Sequence, residues 1–298
     1  MAAKIIDGKA IAAATRERVA AGVAELKAAG KPVRLVALMV GDNPAAKVYA
    51  ENQTKTCAAV GIEYELRTLQ ASTSEESLWH AIHRLNEDPT VTGIFLHSPL
   101  PNGLNLQEAQ YQIDVIKDVE GVNPANIGHV VYGHTIIAPC TALAVMELID
   151  STGVSVKGAD VTVVGASRIV GRPLSLLLTE RNATVTLCHI DTKDTAGACK
   201  KADVVVVAVG KPGLLRAGHV KPGAIVIDVG INRVKITDAF GKVTEKTVGD
   251  VDFEEVKDVA GWITPVPGGV GPMTVAILLR NTLRAARLVH GVEKPFGG

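Results

Sequence analysis

The sequence predicts an α/β fold with parallel sheets, divided between two domains. Segments typical of strands and helices alternate along the chain, and 298 residues are enough for two domains of roughly 100–200 residues each. The runs VVVVAV (204–209) and AIVIDV (224–229) are continuously apolar, as in strands covered on both faces. We predict a first domain of residues 1–145 with 272–298 and a second, Rossmann-type domain of residues 146–271.

The first half begins with an Ala-rich helical pattern over residues 8–29, which stops at Gly30. The apolar segment Arg34–Val40 reads as a buried strand. The elements that follow are a helix at 45–60, a strand at 62–69, a helix at 72–85 and a strand at 91–96. Residues 98–138 are rich in Pro, Gly and Asn and lack a long apolar period, so we expect this connection to carry function.

The second half repeats the alternation more clearly, after a helix that follows Pro139 with the run 142–149. The expected order is a strand at 161–164, a glycine turn at 165–173, a helix at 173–180, a strand at 183–188 and a helix at 192–201. The two apolar strands follow, and after them a polar hairpin near 233–248. Two short segments at 251–259 and 262–264 and a last helix at 271–290 complete the chain. We expect Asp228 and Asn232 at the carboxyl edge of the sheet, where ligands bind in folds of this class.

Composition excludes several classes of protein. Lys+Arg and Asp+Glu both number 31, which argues against nucleic acid as a partner, and 3% aromatic residues argue against stacking on single strands. The four cysteines form no CxxC pair and no zinc spacing, so no metal site is predicted. No signal-peptide layout or long apolar run occurs, and we expect a soluble, cytoplasmic protein without membrane contact.

The segment Gly165-Ala-Ser167-Arg-Ile-Val170-Gly171 follows a strand and opens a helix. Backbone N–H groups in that position can bind a pyrophosphate, although Ser167 replaces the middle glycine of the usual dinucleotide pattern. By itself the segment could be only a tight strand-to-helix connection.

Asp191 follows Gly171 by 20 residues, where dinucleotide folds place an acid for the ribose hydroxyl. The alternatives for Asp191 are a helix N-cap and a solvated loop acid. An acid at this place repels a 2′-phosphate, so NAD is favoured over NADP, although Arg168 or Lys193 could still reach a phosphate.

Several segments together resemble the bifunctional methylenetetrahydrofolate dehydrogenase/methenyltetrahydrofolate cyclohydrolase family over almost the whole chain. They are VGDNPAAKVY (40–49), KDVEGVNPANIG (117–128), PCTA (139–142), VVGASRIVGRP (163–173), AVGKPG (208–213), VIDVGINR (226–233), GDV (249–251) and TPVPGGVGPMT (264–274).

The resemblance implies two α/β domains around a cleft, usually in a homodimer. It implies that a hydride passes from 5,10-methylenetetrahydrofolate to NAD or NADP and that water then opens the methenyl compound to 10-formyltetrahydrofolate. The implied cofactor-binding residues are Gly165, Ser167, Arg168, Val170, Gly171, Asp191 and Ile231, and the implied folate-binding residues are Tyr49, Glu120, Pro265, Gly268 and Gly269.

Three departures from the family pattern fall on its catalytic site. Four residues after Tyr49 the family has a lysine and this chain has Gln53; His97 replaces a glutamine; and Glu120 replaces an aspartate that grips the pterin. Two interpretations stay open. Either the cyclohydrolase step is lost and the chain is a dehydrogenase only, or His97, with an ordinary pKa near 6.5, takes over the proton transfer while Gln53 orients its ring. A third hypothesis is a non-catalytic folate or nucleotide sensor.

Overall fold

The computed structural model describes residues 2–237 and 243–295, and their contacts divide the chain into two compact units. The six-stranded unit comprises the residues up to Ala13 and Thr141–Val275. The three-stranded unit comprises Ala14–Cys140 and the residues from Ala276 onward. The chain passes from one unit to the other within three helices.

The described strands are β1 (Lys4–Ile5), β2 (Arg34–Val40), β3 (Glu63–Leu69), β4 (Gly93–Leu96), β5 (Asp160–Val164), β6 (Thr184–Cys188), β7 (Val204–Val207), β8 (Ile225–Asp228), β9 (Asn232–Thr237), β10 (Val243–Val248) and β11 (Trp262–Ile263). The described helices are α1 (Gly8–Ala28), α2 (Pro44–Ala59), α3 (Glu75–Glu87), α4 (Leu106–Tyr111), α5 (Pro124–Val131), α6 (Cys140–Asp150), α7 (Gly171–Glu180), α8 (Thr195–Lys201), α9 (Phe253–Val256) and α10 (Val270–Val289). The predicted α/β class with parallel sheets and a Rossmann-type second half is confirmed.

The six-stranded unit contains a parallel sheet in the order β1-β11-β8-β7-β5-β6. Every residue of β7 and β8 is buried, because helices cover both faces of central parallel strands. Residues 1–13 were assigned by sequence to the first domain, but contacts group them with this unit. The physical reason is that β1 adds to the sheet edge, where Lys4 pairs with Trp262 and Ile5 with Ile263.

The three-stranded unit contains a parallel sheet in the order β3-β2-β4. One face packs against α3 through Leu78, Ile82 and Leu85, in a core with Ile94 and Leu96 of β4. Phe95 lies between those two residues and therefore points to the opposite face, where its ring stacks on Tyr49 of α2 at 5.9 Å. The sheet thus separates an apolar core on the α3 side from a layer on the α2 side that contains Tyr49.

The segment expected to be irregular, 98–138, contains the short helices α4 and α5. Asn105 and Asn123 cap them by accepting hydrogen bonds from backbone N–H groups. The predicted polar hairpin forms from the antiparallel pair β9 and β10, and its tip, residues 238–242, lies outside the described residues. In the parts of the chain that the structure describes, no helix is long and apolar enough to span a membrane.

Candidate functional site

Helix α2 turns Gln53 into the interior of the three-stranded unit. Gln53 belongs to a stripe of buried positions, spaced at three and four residues, with Ala46, Ala50 and Cys57. Gln53 is 4% exposed, and neither its Nε2 nor its Oε1 has a hydrogen-bond partner among the described residues. Leaving a buried polar group unpaired costs about 1–3 kcal/mol, so this amide is a candidate to bind a ligand.

His97 follows β4 and is 3% exposed. Its ring makes edge contacts with Phe95 at 4.9 Å and with Tyr49 at 5.8 Å. Its Nε2 lies 3.3 Å from the hydroxyl of Tyr64. Burial lowers the pKa of His97 to about 4, so the ring is neutral at pH 7. Desolvation thus moves the pKa of His97 well below the ordinary value near 6.5, and a neutral ring does not replace the positive charge of a lysine.

The expected hydrogen bond from Gln53 to the His97 ring is also absent among the described contacts, since Tyr64 holds the ring instead. Sequence reasoning missed Tyr64. The alternating pattern of residues 62–69 placed it in a strand, but nothing local indicated that its hydroxyl would meet a residue 33 positions later.

Buried charges anchor the segment that carries Glu120. The Nζ of Lys117 donates to the backbone carbonyls of Leu85, Asn86 and Asp88 at 2.7–3.1 Å, just where α3 ends. Asp118 accepts hydrogen bonds from the N–H groups of Gly121 and Asn123 and from the amide of Asn126, at 2.8–3.1 Å. Lys117 and Asp118 are thereby engaged inside the protein, whereas the side chain of Glu120 has a hydrogen bond with Gln110.

A glycine is required directly after Glu120. Gly121 has φ = +72°, and a Cβ at this position would overlap the backbone carbonyl of Ala138. The segment around Gly121 thus passes close to Ala138, and the Asn281 amide of α10 donates to the carbonyls of Val119 and Ala138 at 3.0 and 3.1 Å. These hydrogen bonds connect α10 to both segments next to Glu120.

The electrostatic state of Glu120 follows from this packing. Desolvation, and then repulsion from Asp118, raise its pKa to about 8, while a hydrogen bond with Gln110 opposes the shift. Tyr49 is 41% exposed, yet desolvation and the nearby Glu120 raise its pKa to about 12. Tyr49, His97 and Glu120 therefore lie in one neighbourhood of the three-stranded unit, and Gln53 is one helical turn from Tyr49.

In the six-stranded unit, the turn after β5 packs closely against neighbouring backbone. Gly165 has φ = +115°, and a Cβ there would overlap the carbonyl oxygen of Ala208; a Cβ on Gly171 would overlap the carbonyl oxygen of Gly165. The Oγ of Ser167 accepts from the N–H of Val170 at 3.2 Å, and no side chain caps the N-terminus of α7. Both glycines are thus required because the turn packs closely against neighbouring backbone, as the strand-to-helix turn of dinucleotide-binding folds does.

Asp191 lies in the loop after β6 with 87% of its side chain exposed. The N-cap of α8 is Asp194, whose carboxylate accepts from the N–H of Gly197 at 2.8 Å. The N-cap alternative for Asp191 was therefore wrong. Arg168 and Lys193 are also exposed.

Two buried carboxylates organise the loops at the carboxyl edge of this sheet. Asp228 accepts three backbone N–H groups at 2.9 Å, from Gly230, Asp250 and Val251. Asp250 accepts the N–H groups of residues 209 and 210 at 2.7 and 2.9 Å and the amide of Asn232 at 2.8 Å. Asp228 and Asn232 are thus engaged within the protein and hold the loops in place.

The glycine-rich segment before α10 lies at the same edge. A small cavity of about 80 Å³ is lined by residues that include Ile231, Pro265, Gly268 and Gly269. Ile231 is 68% exposed. Across residues 2–237 and 243–295, no group of three or more His, Cys, Asp and Glu side chains could hold a metal ion.

Cys140, in the PCTA segment, is buried, and its Sγ lies 3.4 Å from the Val119 carbonyl and from the Asn281 amide. Burial, together with Glu120 and Asp118, raises the pKa of this thiol well above its ordinary value. A protonated, packed thiol is not a nucleophile at neutral pH.

Comparison with known proteins identifies both domains of the chain. Residues 6–120 match the family model of the tetrahydrofolate dehydrogenase/cyclohydrolase catalytic domain, and residues 139–290 match that of its NAD(P)-binding domain. A curated relative, the bifunctional protein FolD of Rhodobacter capsulatus, is 48% identical over 288 residues, which cover 95% of this chain and 93% of the relative.

Two solved structures are similar over nearly their whole length. The bifunctional FolD dehydrogenase/cyclohydrolase of Campylobacter jejuni has a TM-score of 0.89 at 41% identity, covering 96% of this chain and 99% of the other. The FolD enzyme of Trypanosoma brucei, solved with NADP and an inhibitor, has a TM-score of 0.89 at 36% identity, covering 99% and 100%. The chain is therefore an enzyme of folate-dependent one-carbon metabolism with an NAD(P)-binding domain, and it belongs to the tetrahydrofolate dehydrogenase/cyclohydrolase family.

Proposed function

We propose that this enzyme oxidises 5,10-methylenetetrahydrofolate to the methenyl compound and then hydrolyses that compound to 10-formyltetrahydrofolate. The observation that carries the proposal is a polar group on one side of the three-stranded sheet, where the His97 ring contacts Tyr49 at 5.8 Å and Glu120 lies near enough to Tyr49 to raise the pKa of its phenol. The unpaired amide of Gln53 lies one helical turn from Tyr49 on α2.

Glu120 binds the pterin ring in this proposal. As a carboxylate it accepts hydrogen bonds from the amino group and ring N–H of the pterin, and partial desolvation strengthens those bonds. Tyr49 presents its ring beside the same position, so the methylene carbon is held in one orientation.

The glycine turn at Gly165 and Gly171 holds the pyrophosphate of the dinucleotide, with Ser167, Arg168 and Val170 lining the turn and Ile231 near the nicotinamide end. When bound, NAD or NADP accepts the hydride that leaves the methylene carbon. Pro265, Gly268 and Gly269 supply a bare backbone surface on which a planar ring can lie closely.

Hydrolysis requires that one proton leave the attacking water. The water oxygen bonds to the methenyl carbon while a ring nitrogen of His97 accepts the proton. As the bond from that carbon to N5 of the folate breaks, the new hydroxyl loses its remaining proton and becomes the formyl C=O. N5 takes up one of the two protons that came from water, and the other is released. A neutral imidazole is suited to this role because its lone pair is free at pH 7.

For the cofactor we propose a preference for NAD, based on the exposed carboxylate of Asp191 in the loop that faces the adenosine ribose in folds of this type. A homodimer and a cytoplasmic location are further proposals that rest on the family resemblance, and light scattering of the purified protein tests the first of them.

Two assays test the reaction. Supplied with 5,10-methylenetetrahydrofolate and either cofactor, the enzyme should reduce the cofactor; no reduction with NAD or NADP would contradict the proposal. Supplied with the methenyl compound alone, the enzyme should accelerate its decay over buffer, and His97→Ala should lower that rate about 100-fold or more.

The control is His80→Ala, which removes an exposed histidine on α3 and should leave both activities unchanged. Decay no faster than in buffer would show a dehydrogenase only, as the missing lysine allows. Fast decay that His97→Ala leaves intact would show that hydrolysis proceeds without this histidine.

A further inference from the structure

Tyr64 is the side chain that contacts a ring nitrogen of His97 directly. Its hydroxyl lies 3.3 Å from Nε2. The amide of Gln53, which the resemblance would place opposite His97, has no hydrogen-bond partner among the described residues. The hydrogen bond to the ring of His97 therefore comes from the sheet, while α2 contributes the edge contact of Tyr49.

The two residues approach from the outer strands of one sheet. Tyr64 lies on β3, paired with Leu35 of β2, and His97 follows β4, with its backbone N–H donating to the carbonyl of Leu38 at 2.8 Å. Phe95 packs against the His97 ring from the same strand at 4.9 Å. Both partners are thus attached to rigid strands, a better support for catalytic geometry than a loop.

Both groups are uncharged at neutral pH. Desolvation, with contributions from Cys57 and Tyr49, raises the pKa of the Tyr64 phenol, and burial keeps His97 neutral. A neutral phenol can donate to or accept from a neutral imidazole, so the contact is a hydrogen bond in either tautomer of the ring.

We propose that Tyr64 is a positioning residue of the cyclohydrolase step, whose hydroxyl engages Nε2 of His97 and leaves Nδ1 as the ring nitrogen that serves the bound folate. The inference rests on the proposed function, since it assigns the atom through which His97 acts. It also explains how a histidine can work here without a lysine or an orienting glutamine beside it.

The hydrogen bond has a defined direction during the reaction. For Nδ1 to accept a proton from water, Nε2 must carry hydrogen, and the phenol oxygen must accept it. After proton transfer the ring carries hydrogen on both nitrogens and the same Nε2–H···O bond persists. The contact therefore stabilises the imidazolium that forms and needs no rearrangement.

The test is Tyr64→Phe, which removes one oxygen and keeps the ring. Loss of one such hydrogen bond should lower the rate of methenyl hydrolysis by about tenfold, with little change in KM and no change in the affinity for NAD or NADP. Tyr132→Phe is the matched control, because Tyr132 is an exposed tyrosine of the same unit.

A double-mutant cycle separates positioning from mere packing. If Tyr64 acts through His97, Tyr64→Phe should have no further effect in a His97→Asn background. Equal and additive losses in both backgrounds would overturn the inference, as would a wild-type rate in Tyr64→Phe, and either result would leave the proposed function standing.

A second measurement is independent of turnover. In protein with ¹⁵N-labelled histidine, the His97 signals, identified by their loss in His97→Asn, should show hydrogen on Nε2 in the wild type. Tyr64→Phe should shift the Nε2 signal and change the tautomer ratio, whereas Tyr132→Phe should not. If the wild type proves unable to hydrolyse the methenyl compound, the proposed function fails in that step, and unchanged signals in Tyr64→Phe would then overturn the inference separately.

Discussion

Two opposing effects act on the ionisation of the Glu120 carboxylate. Its surroundings exclude water, which disfavours the charged form and raises its pKa to about 8, while binding of the pterin edge needs the charged form. The hydrogen-bond donors of the pterin therefore stabilise the ionised carboxylate, and folate binding should release a proton at neutral pH.

The pH dependence of folate binding should follow this carboxylate. Because the ionised fraction falls about tenfold per pH unit below the pKa, the KM for 5,10-methylenetetrahydrofolate should rise as the pH falls below about 8. Glu120→Gln should flatten the profile and raise KM, whereas Glu108→Gln, which changes an exposed acid on α4, should leave the profile intact. A KM independent of pH in the wild type would contradict this assignment.

The unpaired amide of Gln53 should lower the stability of the free protein. Its two amide atoms lie without partners in a stripe that is otherwise apolar, so the folded state bears an uncompensated desolvation cost. A ligand, or water held by a ligand, would relieve that cost on binding.

Replacement of Gln53 by leucine should therefore stabilise the ligand-free enzyme by about 1–2 kcal/mol, because Leu and Gln have similar helix propensities and the unpaired groups disappear. The shift in the thermal midpoint measures it, with Asn52→Leu on the exposed face of α2 as the control. A destabilised Gln53→Leu would mean that the amide has a partner in solution. In the same series, a sharp rise in hydrolysis in Gln53→Lys would show that the natural site lacks only the ammonium group.

At the scale of elements, the ends of parallel strands position the cofactor residues. The turn after β5 provides bare backbone, the loop after β6 provides an exposed acid, and Asp250 links the loop after β7 to the β9–β10 hairpin through its three hydrogen bonds. Each element contributes a short loop, and the sheet brings the loops to one edge.

Asp191 should decide between the two cofactors. An exposed carboxylate near a 2′-phosphate is repelled by about 1 kcal/mol or more, so Asp191→Asn should raise kcat/KM for NADP about tenfold relative to NAD. Steady-state kinetics with both cofactors measure the ratio. Asp258→Asn, an exposed acid at the opposite edge of the sheet, should not change it. An unchanged ratio in Asp191→Asn would place the ribose elsewhere.

For the whole molecule, each unit has its own core and, in the proposed function, its own ligand. The six-stranded unit buries a cluster around Val205, Val207 and Val226, and the three-stranded unit buries one around Leu38, Ile82 and Leu96. A ligand stabilises the state to which it binds by about 2.7 kcal/mol at 100 times its Kd.

Amide hydrogen exchange should therefore respond locally to each ligand. NAD or NADP should slow exchange around 165–171 and 189–191, and a non-reacting folate should slow it around 49–53 and 117–121. Hydrogen exchange in strand β6 serves as the internal reference within the six-stranded unit. Protection by the dinucleotide confined to the three-stranded unit would contradict the assignment of the glycine turn.

The sequence indicated most of the fold because hydrophobic periodicity and glycine stops are local signals. The segment Arg34–Val40 matches its strand end for end, and the predicted helix at 72–85 corresponds to α3, which begins at Glu75 with Ser74 as its N-cap. Local signals failed for residues 1–13, whose partner in the sheet lies more than 250 positions away.

The family motifs, the departures at positions 53, 97 and 120, and the glycine turn are all properties of the sequence itself, since they depend on residue type and spacing. Only the tertiary structure determined the pKa values of His97 and Glu120 and the hydrogen-bond partner of His97. Folding removed water from His97 and Glu120, which moved their pKa values in opposite directions, and it brought Tyr64 to His97 across a three-stranded sheet. Desolvation and long-range contacts depend on which distant segments pack together, and neither can be read from neighbouring residues.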